Sequence, residues 1–218
     1  DTHMIKNMEW GAVAYLSNSK YGTCINETCT EIGINNNSNY ITGCGAEAGS
    51  SSSSTCNSYN TELGQGVSTT GNIYGIYDMS GGAWDFVMSN IVSLDGKQML
   101  SGESHINNSG YTGITYNNGT EYSYLGYYTY PEEKYYDKYS FISSDINYKI
   151  TKLGDATKEF YVSEAYYWYN DLAHVAYYEM PWFRRGGWYN HHERAGIFSS
   201  YHVSGIGGIY YSTHFIIS

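Results

Sequence analysis

The side chains in this chain that could do chemistry are seven histidines, four cysteines and a few clustered carboxylates, and their spacing decides which chemistries are open. Cys24, Cys29, Cys44 and Cys56 crowd into one stretch, with no C-x-x-C pair and no histidine among them. That spacing argues against a zinc site. Two short-loop disulfides fit it better, most simply Cys24–Cys29 with Cys44–Cys56, although the sequence leaves the alternative pairings open. Disulfides imply an oxidising, extracytoplasmic setting. His191-His192-Glu193 brings three metal-ligating residue types together. Neighbours on a strand point to opposite faces, so two adjacent histidines seldom hold one ion, and the run is not assigned to a metal. Asp78 and Asp85, with loop carbonyls, offer the hard oxygens that suit a structural Ca²⁺. Hydrogen bonds that tie turns are the competing account. There is no G-x-S-x-G elbow and no phosphate-binding loop. A Ser–His–Asp combination can be drawn on paper from any chain with seven histidines and carries no weight. The expectation is a protein without catalytic residues, metal ligands or a cofactor.

Composition narrows the partners. Charged residues are 15% of the chain, against roughly 25% in typical globular domains. Tyr, at 27, is the commonest residue, followed by 25 Gly. The formal net charge of −10 argues against nucleic acid, whose phosphates need basic clusters. No run of 18 apolar residues is present, so no membrane span is expected. The last 24 residues, 195–218, contain no Lys, Glu, Gln, Met or Trp, although these types make up 34 of 218 residues overall. Within that stretch, residues 199–214 use only amino acids reachable from an Asn codon by changing its adenines.

The elements that must position these residues are short. Trp10, Val13, Ala14 and Ser17 share one helical face, so a helix is expected over residues 6–18, closing near Tyr21-Gly22. Residues 23–66, rich in Asn, Ser and Gly, read as a surface excursion pinned by the disulfides. In residues 71–87, Gly75, Gly81 and Gly82 allow backbone that side chains forbid. Asn72 and Asp78 are turn-tying types there, and the aromatics are expected to supply the burial. Residues 91–102 read as a strand or two, and 103–126 as a polar insertion. Tyr135, Tyr136 and Tyr139 suggest one face of a turn or helix. Short helices are expected near residues 154–160 and 164–168. No internal repeat or linker divides the chain, so residues 1–218 form one domain.

The run Asn72-x-Tyr74-Gly75-Ile76-Tyr77-Asp78-Met79-x-Gly81-x-x-Trp84-Asp85 resembles the central motif of the formylglycine-generating-enzyme (sulfatase-modifying factor) family. Met180-Pro181-Trp182-Phe183-Arg184-Arg185-Gly186-Gly187-Trp188 resembles the family's C-terminal Arg-Gly-Gly-x-Trp or similar run, and Ala195-Gly196-Ile197-Phe198 resembles the strand neighbourhood that follows it. His214 and Ile216 depart from the usual Gly-Phe-Arg-Val ending. The resemblance implies an α+β domain of the C-type lectin fold, irregular and with long loops. Glu9-Trp10 resembles an acid–tryptophan pair midway through the family's first half. This implies that an opening strand and helix lie upstream of Asp1, unless this member has a shortened beginning. Oxidase members bind copper through late cysteines, and no cysteine follows Cys56 here, so that activity is not expected.

The adenine-limited ending is similar to the variable proteins of diversity-generating retroelements, many of which use this lectin-like fold. The resemblance implies a variable ligand-binding region over residues 188–214, in which Trp188 and Glu193, not reachable from an Asn codon by adenine changes, are framework or come from a different template codon. The expected ligand surface comprises Trp188, Tyr189, Asn190, His191, His192, Arg194, Tyr201, His202, Tyr210 and Tyr211. Tyrosine gives rigid amphipathic contact area, and Ser and Asn adapt their hydrogen bonds, as in antibody paratopes. Histidines in such a surface would make binding sensitive to pH near 6.5. The expected protein is a secreted or surface-displayed binder of a bacterium or phage. Its partner would be a protein or glycan on another cell or particle, with an anchor or pilin-like segment upstream. The alternatives are a filament or adhesin subunit and a metal-dependent enzyme of the same fold.

Overall fold

A computed structural model describes residues 3–36, 57–92, 114–115, 121–122, 134, 137–140, 152–157, 161–163, 165–174, 176, 182–203 and 213–215. The architecture is mixed α+β. One mixed sheet is built on the long strand β1 (Trp84–Val92). Along one side β1 pairs in parallel with β10 (Thr213–Phe215) and then, further on, with β4 (Asp137–Ser140). On its other side it pairs antiparallel with β8 (Trp182–Arg185), which in turn pairs with β9 (Ser200–Val203). The sheet continues through β7 (Leu172–Ala173), β6 (Ala165–Tyr167) and β5 (Tyr161–Ser163). A separate two-stranded hairpin joins β2 (Ile114–Thr115) to β3 (Glu121–Tyr122).

Helix α1 (Asn7–Ser17) lies close to the span expected from sequence. Its buried residues, Asn7, Trp10, Gly11, Ala14 and Ser17, recur at helical spacing and form one face. The Glu9 carboxylate accepts the Lys6 backbone N–H at 2.9 Å, satisfying a donor that the helix start leaves open. Three contacts dock α1 and the segment just before it on the sheet. Asn7 N–H donates to Ser89 Oγ (3.0 Å), Met8 N–H to Asp137 Oδ2 (2.8 Å), and Met88 N–H to the Ile5 carbonyl (2.8 Å). Gly11 is required: a Cβ there would stand 2.2 Å from the Gly154 carbonyl oxygen. The core between helix and sheet includes Trp10, Met79, Val87, Ile91, Tyr139, Phe183 and Phe198.

Several expectations are corrected. Residues 152–157 form turns and not a helix, because the Asp155 carboxylate ties its own neighbourhood, accepting from Lys152 N–H (3.0 Å) and Thr157 N–H (2.9 Å). Residues 165–167 are strand β6, followed by a 3-10 turn at Trp168–Asn170, where Tyr169 and Asn170 take positive φ. Tyr139 lies on a strand and is buried, and Tyr135 and Tyr136 fall outside the described residues. The strand expected from residue 91 begins earlier, at Trp84, inside the central motif. Within residues 71–87 Trp84 and Phe86 are buried, but Tyr74 is 86% exposed. The turn-tying role of Asn72 holds, with its Oδ1 accepting the Tyr74 N–H at 2.9 Å. A Cys24–Cys29 disulfide is present. Cys44, Cys56 and the rest of residues 37–56 lie outside the described residues. Among the described residues no helix is long and apolar enough to cross a membrane.

Candidate functional site

Strand β8 carries the site. Alternation along a strand sends neighbouring side chains to opposite faces, so Arg184 and Arg185 part company. Arg184 pairs across the sheet with Phe86 on one side and Tyr201 on the other. After β8 the chain turns through Gly186 and Gly187, both at φ near +80°, a region glycine enters freely. A Cβ on Gly187 would stand 2.4 Å from Ala195 Cα. The Gly81–Gly82 turn fastens this segment. Gly81 N–H donates to the Gly186 carbonyl (2.7 Å), and Tyr189 N–H donates to the Gly82 carbonyl (3.0 Å). Trp188 and the 3-10 turn Tyr189–Arg194 are thereby held beside the sheet.

The outer face is a continuous set of rings and cations. Arg184 lies over the rings of Trp84 and Tyr201, at 5.3 and 5.4 Å. His191 meets Trp84 edge-on at 5.4 Å and Trp188 at 5.6 Å. Tyr201 stacks on His202 at 4.5 Å, and His174 lies 4.9 Å from Tyr201 and 5.7 Å from His202. Burial holds His174 and His191 below the ordinary imidazole range, with the positive charge of Arg194 acting in the same direction on both. Burial, then His174 and Arg184, pull His202 down to about 4. Among the described residues the charges acting on these three histidines are cationic. Trp188 Nε1 and His191 Nδ1 are buried and meet no hydrogen-bond partner among the described residues.

The inner face of β8 is different. Arg185 is wholly buried, 6.0 Å from the Trp10 ring centre. It donates to Asn7 Oδ1 (3.3 Å) and to the carbonyls of Asp155 and Ala156 (3.2 Å each). Asn7 Nδ2 donates to the Tyr139 hydroxyl (2.8 Å), which donates to Asp155 Oδ2 (3.0 Å). Burial, then the Asp155 charge, push the Tyr139 hydroxyl well up, so it stays a donor. This network fixes α1, β4, β8 and the 152–157 turns to one another.

A second buried network supports the turn that precedes β9. Asp171 accepts Gly196 N–H on one carboxylate oxygen and Phe198 N–H on the other, both at 2.9 Å. Glu31 lies against it. A Cβ on Gly196 would fall 1.8 Å from Glu31 Oε1 and 2.2 Å from Asp171 Oδ1. Burial first, then the Asp171 charge, push Glu31 far above the carboxylate range. Glu31 therefore keeps its proton at neutral pH and donates it in a carboxyl–carboxylate hydrogen bond. Burial also raises Asp171, opposed by that bond and the two backbone donors. Trp10 Nε1 donates to the Ile197 carbonyl (2.8 Å), linking the same turn to α1.

Of the expected ligand residues, the structure brings Trp188, His191, Tyr201 and His202 into this cluster, all half-buried. Arg194 is half-buried as well, and Tyr189, Asn190 and His192 are exposed. Tyr189 packs edge-on against Trp188 at 5.2 Å. Tyr210 and Tyr211 lie outside the described residues. The His191-His192-Glu193 run is a 3-10 turn and not a strand, with His192 at φ +54°. Among the described residues no group of three His, Cys, Asp or Glu side chains could hold a metal ion. Asp85 is buried, and burial followed by the Asp78 charge raise its carboxyl well above the usual range.

Sequence reasoning missed Trp84, His174 and Arg184. The signal for Arg184 was the strand period at Trp182–Arg185, which puts one of two adjacent arginines outward. His174 carried no such signal, because its neighbours arrive from β9. No family model matches this chain, and no curated protein or solved structure matches it significantly.

Proposed function

We propose that this protein is a non-catalytic ligand-binding protein of the C-type lectin fold. Its binding surface is the outer face of β8 and β9 with the Tyr189–Arg194 turn, diversified as in retroelement variable proteins and displayed outside the cell. The observation that carries this reading is the convergence of Trp84, Arg184, Trp188, His191 and Tyr201, from separate parts of the chain, on one face. Rings, a guanidinium and imidazoles on a rigid sheet form the kind of surface that binds by contact. The Cys24–Cys29 disulfide is compatible with an extracytoplasmic location.

The test is to sequence the surrounding locus. A near-copy of the coding region for residues 185–218, differing only at adenines and lying beside a reverse transcriptase, is expected. A locus without one removes the diversified surface from the reading. Screening the protein on glycan and protein arrays, alongside Trp188→Ala, tests binding itself. Hits that the variant loses are expected, and hits indifferent to it overturn this choice of face.

A second reading, a filament or adhesin subunit, rests on a different surface. Tyr59, Leu63, Ile73, Tyr74 and Ile76 are all exposed within one short stretch of chain. Concentration-dependent assembly, abolished by Tyr74→Glu, is the result that would favour it.

A further inference from the structure

Residues 195–199 join the two parts of the candidate ligand face. The 3-10 turn carrying His191 ends at Ala195, whose N–H donates to the His192 carbonyl (3.3 Å), and β9 with Tyr201 begins at Ser200. Ser80 Oγ donates to the Ala195 carbonyl (3.4 Å), and Ser199 Oγ donates to the Arg194 carbonyl (2.7 Å). Asp171 grips the middle of this junction through the Gly196 and Phe198 N–H groups, and Glu31 reaches the same place. We infer that Glu31 and Asp171 form a clasp, closed by one proton between their carboxyl groups, that holds the ligand face in its binding shape and releases it as pH rises. The inference rests on the binding reading above and adds the regulation of that face.

The geometry calls for that proton. A Cβ on Gly196 would touch both acids, so their oxygens lie within about 4 Å of each other, where two ionised carboxylates repel. Each Asp171 oxygen already accepts a backbone N–H, and Glu31 Oε1 is buried with no hydrogen-bond donor to meet it among the described residues. A proton on Glu31 turns this contact of two acceptors into a hydrogen bond. Asp171 is wholly buried, whereas Glu31 is half-buried and lies outside any helix or strand, so Glu31 is the acid with a path to water. Its retreat uncovers Asp171, and water then competes for the Gly196 and Phe198 N–H groups that hold the junction.

The titratable and charged groups facing the pair come from the elements packed on it. Tyr169, in the turn before Asp171, has a hydroxyl that burial, then the Glu31 and Asp171 charges, push up, so it stays neutral. Arg185 on β8 favours the Asp171 charge. Asp155 leads the charges acting on that guanidinium, and its terminal nitrogens already bond Asn7 and two carbonyls. One guanidinium shared in this way does not offset two further carboxylates. Residues 195–199 carry no ionisable side chain, and α1 contributes Trp10, bonded to the Ile197 carbonyl. Because the pair holds a proton that an exposed glutamate would give up, opening releases it, and the opening constant rises about tenfold per pH unit above neutrality. His174, His191 and His202 are held below their ordinary range, so they are already neutral there and do not drive this change.

The experiment is hydrogen exchange of the whole chain, read by NMR at about pH 7 and 8.5 and corrected for the intrinsic pH dependence of exchange. Protection of the Gly196 and Phe198 N–H groups, and of the buried Trp188 indole N–H, is expected to fall at least about tenfold over this range. The Met88 N–H, bonded to the Ile5 carbonyl, should stay better protected than these three. In Glu31→Gln, whose amide donates to Asp171 at either pH, the fall should shrink to less than about threefold. The wild-type comparison needs no variant, so a misfolded Glu31→Gln leaves the inference testable. Unchanged protection at Gly196 and Phe198 overturns the clasp, and a full fall in a folded Glu31→Gln overturns the assignment to Glu31. Exchange at Met88 as fast as at Gly196 would mean that only the whole molecule opens, and also overturns it. Opening at Gly196 and Phe198 with Trp188 unmoved overturns the link to the ligand face. The expected opening in a protein that binds nothing on the arrays would leave the clasp standing while the binding reading falls.

Discussion

Arg185 points into the molecule, where Asn7 and the carbonyls of Asp155 and Ala156 take its hydrogen bonds and Trp10 lies alongside. Arg184, its neighbour on the same strand, points outward over Trp84 and Tyr201. The two side chains are chemically identical. What differs is the solvent around them and the acceptors opposite. Buried, a guanidinium needs acceptors for its donors; the terminal nitrogens of Arg185 find three while its Nε meets none among the described residues, and the group acts as a many-pronged tie between elements. Half-buried among rings, the same group packs against Trp84 and Tyr201 and bears on the imidazoles beside them. A strand's two-residue period is enough to assign neighbouring residues to these two tasks.

The largest effect expected from breaking this contrast is on the inner side. Arg185→Ala strips Asn7 and two buried carbonyls of their donor, and should cost more than about 3 kcal/mol in urea denaturation. A loss below about 1 kcal/mol would mean that the inner network does not hold α1 to the sheet. Gly187→Ala comes next. It forces a side chain into a φ of +78° and against Ala195, and should cost about 2 kcal/mol. Because Gly187 also sets where Trp188 leaves the sheet, this variant should weaken ligand binding out of proportion to its stability loss.

Glu31 sharpens the comparison from below the turn. Both Glu31 and Asp171 are raised in the fold, so the native state holds more protons than the unfolded chain. Their contribution to stability is therefore full in acid. It is lost as pH rises from the ordinary carboxylate range past neutrality. The depressed histidines act in the opposite sense, costing stability as pH falls below about 6.5. Glu31→Gln keeps a donor for Asp171 and removes the proton-dependent part. The variant should gain about 1 kcal/mol over wild type at pH 8 and nothing at pH 4.5, read as the difference between two denaturation series. An identical gain at both pH values would mean that Glu31 is not the protonated partner.

Much of the frame was legible in the sequence and the site only partly so. The spacing of Trp10, Ala14 and Ser17 marked the helix, the short gap between Cys24 and Cys29 marked the disulfide, and the glycines marked the turns. These are local signals, carried by a few consecutive residues. The helices expected near residues 154–160 and 164–168 failed for a physical reason. Asp155 satisfies backbone donors around its own turn, and Tyr167 finds its backbone partner in the Asp171 carbonyl at 2.9 Å. The central motif's tyrosines were expected inside, yet Tyr74 is exposed, because hydrophobic character alone does not say which face of a turn is covered. His174 and the Glu31–Asp171 pair were invisible, since their meaning comes from residues brought near only by the sheet.

The smallest effect separates the two faces most cleanly. Arg184→Ala removes two ring contacts and should cost only about 1 kcal/mol of stability. It also removes one of the positive charges that hold His202 and His191 down. Both imidazoles should therefore titrate at higher pH in the variant, with His202 moving up from about 4. His174 offers an internal control, because the charge acting on it comes from Arg194 and not from Arg184. An NMR pH titration of the ring protons reads all three at once. Upward movement of His202 and His191 with His174 unmoved would establish that Arg184 projects its charge across this face. If all three stay in place, the arginine's charge is screened there, and the outer face would have to recognise its ligand through ring contacts alone.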